Sequence, residues 1–259
     1  MPLLLVLSTT YALACWHSTA TTELSYLYQP SYCMDYELRC PAEPYFPQPG
    51  DLFLATDHGF FGKIGHKIVF SGAPHHSGIV FARPDGSLAL LEGGPHNTLR
   101  CRALDLIPHL NSYAVEERVW IRKRCVPLTP DQSARLTAFA LATDGKPFAF
   151  IRMIGQLTFF RCRGPLRLRW LGKPCGNRRT YFCSELVVEA CVAACLLDPE
   201  TARPAATYPR ELFFGRSINP FLDRHLDLSA WAPPARWTLC PGTETVFSHR
   251  RPWLDGDSQ

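Results

Sequence analysis

Apolar positions follow two rhythms along the chain. Short runs, solidly apolar or alternating, occur at Asp51-Leu-Phe-Leu-Ala55, His76-Ser-Gly-Ile-Val-Phe-Ala82 and Ser87-Leu-Ala-Leu-Leu-Glu92. Each is bounded by Gly, Pro, Asp or Ser and reads as a strand. Thr98 to Ala103 and Val115 to Arg122 read as further strands, which together predict an antiparallel meander. Helical spacing takes over elsewhere. Phe60, Phe61, Ile64, Ile68 and Val69 form an irregular helical face interrupted by glycines and ended at Gly72-Ala73-Pro74. Thr129-Pro130-Asp131-Gln132 is a capping box with Pro at the first helical position; Leu136, Phe139 and Ala140 continue that helix and Gly145 stops it. After Cys183, the residues Leu186, Val187, Ala190, Ala194 and Leu197 recur at helical spacing, with Glu185 and Glu189 four apart on the other face.

The hairpin between the second and third strands carries register information. Its loop, Arg83-Pro84-Asp85-Gly86, suits a type I turn closed by a left-handed glycine. Such a loop sets Arg83 opposite Ser87 and Gly78 opposite Glu92, so His76 lies diagonal to Glu92 on one face. Diagonal neighbours are about 7–8 Å apart at the backbone, within reach of long side chains. A two-residue loop would turn Glu92 to the opposite face.

These elements divide the chain. Residues 1–14 are apolar, too short to span a membrane, and end in Ala12-Leu13-Ala14, which predicts a secretory signal segment and export to a periplasm or cell envelope. Lipid anchoring through Cys15 is the alternative, and a buried N-terminal segment is the third. Residues 15–47, rich in Ser, Thr, Tyr and Pro, read as an arm that Cys33 and Cys40 are spaced to close. The main domain is expected over 48–215, with Tyr208-Pro209-Arg210-Glu211-Leu212 near its end, followed by a Pro- and Trp-rich tail over 216–259.

Composition adds bounds. The 259 residues are 46% hydrophobic and 12% aromatic, enough for a sizeable core, and a net charge of +4 without a nucleic-acid motif excludes no class except a dedicated nucleic-acid binder. Seven basic and no acidic residues fall between Arg161 and Arg179; a solvated loop and a contact with a membrane surface or polyanion are the two readings. Eleven cysteines suit an oxidising compartment, but Cys191 and Cys195 lie one helical turn apart, poorly placed for a bridge. With no Cys-x2-Cys pair, neither zinc nor another metal is expected, and no cofactor is.

The chemistry centres on Cys183. Heading a helix, its sulfur sits by unpaired backbone N–H groups that favour a thiolate. His76 offers a base and Glu92 a carboxylate to orient it. His75 alternates to the other face of its strand. His58, His66, His96 and His109 are isolated and read as surface residues, and Cys175 in a glycine-containing loop is a weaker rival thiol.

Gly50-Asp51-Leu52, His76-Ser77-Gly78-Ile79-Val80, Leu91-Glu92, Gly145-Lys146-Pro147-Phe148 and Tyr181-Phe182-Cys183-Ser184-Glu185-Leu186-Val187, in that order, resemble the YiiX/YebB-like family. That family comprises circularly permuted papain-like cysteine amidases related to NlpC-type cell-wall hydrolases. The resemblance implies an α+β fold in which an antiparallel meander or barrel packs on the helix headed by the nucleophile. It further implies Cys183 as nucleophile, His76 as base and Glu92 as third member, acting on amide bonds of a peptide or peptidoglycan substrate. Tyr181 is a candidate oxyanion or substrate-binding donor beside the Cys183 N–H. Where the family often has Tyr-Asp after Gly-x-Pro, this chain has Phe148-Ala149. A lipid acyl hydrolase or acyltransferase of the same fold is one competing expectation, and a non-catalytic exported binding protein is the other.

Overall fold

The computed structural model describes residues 25–28, 42–56, 73–95, 98–114, 118–155, 163, 168–170, 172–217, 219–222 and 224–239. The candidate signal segment, Cys15, Cys33, Cys40, the helical face from Phe60 to Phe70, His58, His66 and His96 lie outside them. Among the described residues eight strands form one sheet: β1 (Ser25–Tyr28), β2 (Ala42–Tyr45), β3 (Leu52–Ala55), β4 (His76–Ala82), β5 (Leu88–Gly93), β6 (Cys101–Asp105), β7 (Val119–Arg122) and β8 (Ala235–Thr238). Their spatial order is β2-β1-β8-β7-β3-β4-β5-β6, and every pairing is antiparallel. The helices are α1 (Leu106–Ala114), α2 (Pro130–Thr143), α3 (Phe150–Gly155), α4 (Cys183–Ala193) and α5 (Pro209–Phe214). The result is a mixed α+β architecture with helices on both faces of the sheet.

The β4–β5 turn behaves as its residues require. The Arg83 N–H bonds to the Ser87 carbonyl at 2.8 Å, Gly86 takes φ +85°, and the Asp85 carboxylate accepts from the Ser87 N–H at 2.9 Å. Gly78 is thereby paired with Glu92. At α2 the capping box closes in both directions between Thr129 and Gln132, and Gly145 is left-handed beyond the helix end.

The meander is shorter than the sequence predicts. It holds from β3 to β6, but residues 106–114 form α1, and β7 returns to pair with β3 on the other side. The arm and the tail also contribute: β1, β2 and β8 extend the same sheet beyond residues 48–215 on both sides. Trp231 and Asp51 fix these additions. The Trp231 indole N–H donates to the Gly50 carbonyl at 2.7 Å. The buried Asp51 carboxylate accepts from the Tyr45 hydroxyl at 2.8 Å and the Arg124 N–H at 2.7 Å.

Strand alternation divides the core in two. Leu52, Leu54, Ile79, Phe81 and Leu91 face α2, α4 and α5, whereas Phe53, Val80, Leu90 and Ile121 face Leu106, Leu110 and Tyr113 of α1. Helix α4 is buried from Ser184 to Cys191, Glu185 and Glu189 included, so it is a central helix rather than an amphipathic one. The helix ends at Ala193, and Cys195, with a left-handed φ of 55°, turns the chain, yet Leu197 beyond it is still buried in the same core as Leu186, Val187, Ala190 and Ala194. No helix among the described residues is long and apolar enough to cross a membrane.

Candidate active site

Cys183 is the first residue of α4, after an extended Phe182, so its backbone N–H has no acceptor within the helix. The Glu185 carboxylate closes the cap by accepting the Phe182 N–H at 3.4 Å. The helix start is pressed against the end of β5. A Cβ on Gly93 would stand 3.2 Å from both N and Cα of Cys183, so the glycine permits this approach. Ser184 pins the helix from the other side by donating to the Thr207 carbonyl at 2.6 Å.

The sheet brings the other two predicted residues to the same end. His76 opens β4 and Glu92 sits in the last turn of the β5 pleat, both on the α1 face by alternation with Val80 and Leu90. His76 Nε2 lies 3.5 Å from Glu92 Oε2, and the ring is within hydrogen-bonding reach of the Cys183 thiol. With Nε2 turned to the carboxylate, Nδ1 is the nitrogen left for the sulfur. The neighbouring His75 contributes its carbonyl, 3.9 Å from Cys183 Sγ. Gly78 makes the diagonal possible: the Glu92 side chain crosses over it, and a Cβ there would fall 2.8 Å from Glu92 Cγ.

Charge is held in this buried pocket by mutual support. Burial alone would lower the His76 pKa, but the charge of the nearby Glu92 carboxylate, with the Cys183 thiol beside the ring, holds it well above the usual imidazole range. Burial alone would raise Glu92; the charge of His76 and the hydrogen bond with His109 instead bring it down to about 2. An ionised carboxylate thus faces an imidazole of raised proton affinity beside a thiol.

Two residues at the site escape a linear reading. His109, expected at the surface, is buried, and its Nε2 lies 2.6 Å from Glu92 Oε2. Tyr113, one turn on, donates its hydroxyl to the same oxygen at 3.4 Å and stacks with the His76 ring at 6.2 Å. Both come from α1, whose helical spacing of Leu106, Leu110 and Tyr113 was the available signal; Pro108 masks it, although proline is tolerated in a first turn.

The Tyr181 hydroxyl is engaged by the loop before α4. Fully buried, its hydroxyl donates to the Gly176 carbonyl at 2.6 Å and accepts the Arg178 N–H at 2.7 Å, which fixes the loop before α4. The basic segment is likewise turned partly inward. Arg178 reaches Glu185 and Glu189 at 3.4 and 3.3 Å, and Arg163 binds Glu211 at 2.6 Å. Arg152 adds a bidentate pair to Glu185. Arg152 and Arg178 offset the burial of two carboxylates in α4. Cys175 is exposed and its N–H serves Glu189 at 2.8 Å. Among the described residues no group of three or more His, Cys, Asp or Glu is disposed to hold a metal ion.

No protein-family model matches the sequence, and no curated protein does. Among solved structures the chain is similar to the crystal structure of the metalloprotein yiiX from Escherichia coli O157:H7, DUF1105. The identity is 15% and the TM-score 0.41, over 72% of this chain and 92% of that one.

Proposed function

We propose that this chain is a YiiX-like, permuted papain-like cysteine hydrolase that cleaves amide bonds of peptide or peptidoglycan type. The observation that carries the reading is the position of the His76 imidazole, within reach of the Cys183 thiol on one side and facing the Glu92 carboxylate on the other. In this mechanism His76 takes the proton of Cys183, and the thiolate forms a C–S bond to the substrate carbonyl carbon. The oxygen that gains charge is met by the Cys183 N–H, left free at the helix start and kept uncovered by Gly93. The imidazolium then gives its proton to the leaving nitrogen as the C–N bond breaks. Water, deprotonated by His76, attacks the thioester and returns the thiol. Glu92 holds the ring orientation and supports its positive charge through both halves.

The test is a hydrolysis screen of muropeptides, small amides and acyl esters, with Cys183→Ala as control. Amide turnover that disappears in Cys183→Ala is expected. Turnover of acyl esters alone would move the chain to the acyl-hydrolase reading, and turnover that survives Cys183→Ala would end the proposal.

A further inference from the structure

Glu92 faces two histidines through one oxygen. The pairing to His76, at 3.5 Å, is not a closed hydrogen bond, and His76 Nε2 and Glu92 Oε1 are both buried without a hydrogen-bond partner among the described residues. The closed contact is the one from His109 at 2.6 Å, with Tyr113 at 3.4 Å on the same oxygen. Strand pairing sets only where the Glu92 backbone lies; the direction of its carboxylate is decided by α1.

We propose that His109 is a positioning residue for Cys183, His76 and Glu92: its Nε2–H holds the carboxylate in the orientation that faces His76, and Tyr113 steadies the same oxygen. The proposal rests on the reading of Cys183 and His76 as nucleophile and base. An ionised carboxylate can only accept, so His109 must carry its proton on Nε2 to make this bond. When His76 takes the thiol proton, positive charge appears opposite Glu92. A carboxylate already fixed there stabilises it without reorganising, whereas a mobile one would first have to be ordered. The groups that meet in this pocket are His76 from β4, Glu92 from β5, His109 and Tyr113 from α1 and Cys183 from α4. The Phe53 ring of β3, 6.3 Å from His76, closes it with an apolar wall.

The test is the rate at which iodoacetamide labels Cys183 in the full-length chain, followed against pH by peptide mass. His109→Phe is expected to label about tenfold more slowly at pH 6, since a hydrogen bond to a charged group is lost, with its profile displaced in the same direction as that of Glu92→Gln. His109→Gln, whose amide N–H can reach the carboxylate, is expected to restore most of the rate. In a Glu92→Gln background the His109 substitutions should change nothing further, because they act through that carboxylate. A wild-type profile in His109→Phe, a faster one, or a His109→Gln variant as slow as His109→Phe overturns the proposal. Should His109→Phe fail to fold, the His109→Gln, Tyr113→Phe and Glu92→Gln comparison decides, with an additive effect of Tyr113→Phe and Glu92→Gln overturning it. Indifference of labelling to His76→Ala as well would bring down the thiol–imidazole reading itself, a result separable from failure of His109 alone.

Discussion

Gly78→Ala tests whether the diagonal from His76 to Glu92 depends on an absent side chain. The added carbon would lie 2.8 Å from Glu92 Cγ, 2.9 Å from the Leu91 carbonyl oxygen and 3.2 Å from Leu90 Cδ1. Carbon pairs settle at about 3.5–4.0 Å, so Glu92 Cγ must recede by roughly 0.7 Å or more. The Leu91 carbonyl cannot yield in its place, because β5 is paired on both sides. Displacing Glu92 draws its carboxylate off the 2.6 Å contact with His109 and disturbs the 3.5 Å approach to His76. Overpacking by one methyl costs about 1–3 kcal/mol, and a lost hydrogen bond to a charged group about 1.5–3 kcal/mol. The two overlap, and a net destabilisation of about 2–4 kcal/mol is expected. Urea unfolding at pH 7 measures it, and Cys183 labelling at pH 6 should fall towards the Glu92→Gln rate. Gly155→Ala is the control, because a methyl there meets nothing within 4 Å. A Gly78→Ala protein within about 0.5 kcal/mol of wild type, labelling at the wild-type rate, would refute the geometric argument.

Two further outcomes follow from the same pocket. Glu92, lowered from 4.5 to about 2, contributes roughly 3 kcal/mol of stability above pH 4.5 that is lost as pH falls through about 2. His76, raised above 6.5 against burial by the same carboxylate, contributes below pH 6.5 and loses its share as pH rises through its folded value. The attraction is one and counts once, so the stability gap between wild type and Glu92→Gln should peak between pH 4.5 and 6.5; urea titrations giving a flat gap would contradict this. Asp51, which burial raises to about 6, titrates in both proteins and cancels. Tyr181→Phe removes two hydrogen bonds from the loop before α4 and should cost about 1–3 kcal/mol while leaving the pH dependence of Cys183 labelling unchanged. A changed labelling profile would return Tyr181 to the site.

What the linear sequence determined lies within the reach of local forces. The Arg83-Pro84-Asp85-Gly86 turn sets the β4–β5 register, because proline and a left-handed glycine leave few backbone paths between two strands, and register alone decides that Glu92 shares a face with His76. The capping box at Thr129 and Gln132 marks a helix start for the same reason: its two hydrogen bonds close within four residues. The change from extended to helical backbone at Cys183 was legible from the apolar spacing that follows it. Contacts between distant segments were not. His109 meets Glu92 only because α1 folds back over β5, and β8 enters the sheet between β1 and β7 from a stretch with no periodicity to announce it. Glu185 and Glu189 read as a polar helix face until Arg152 and Arg178, from separate segments, allow both carboxylates to be buried. A local pattern states which side chains share a face. Which element covers that face, and whether a charge upon it meets water or a partner, is decided by burial and long-range pairing, because the free energy of a charged group depends on what surrounds it in space.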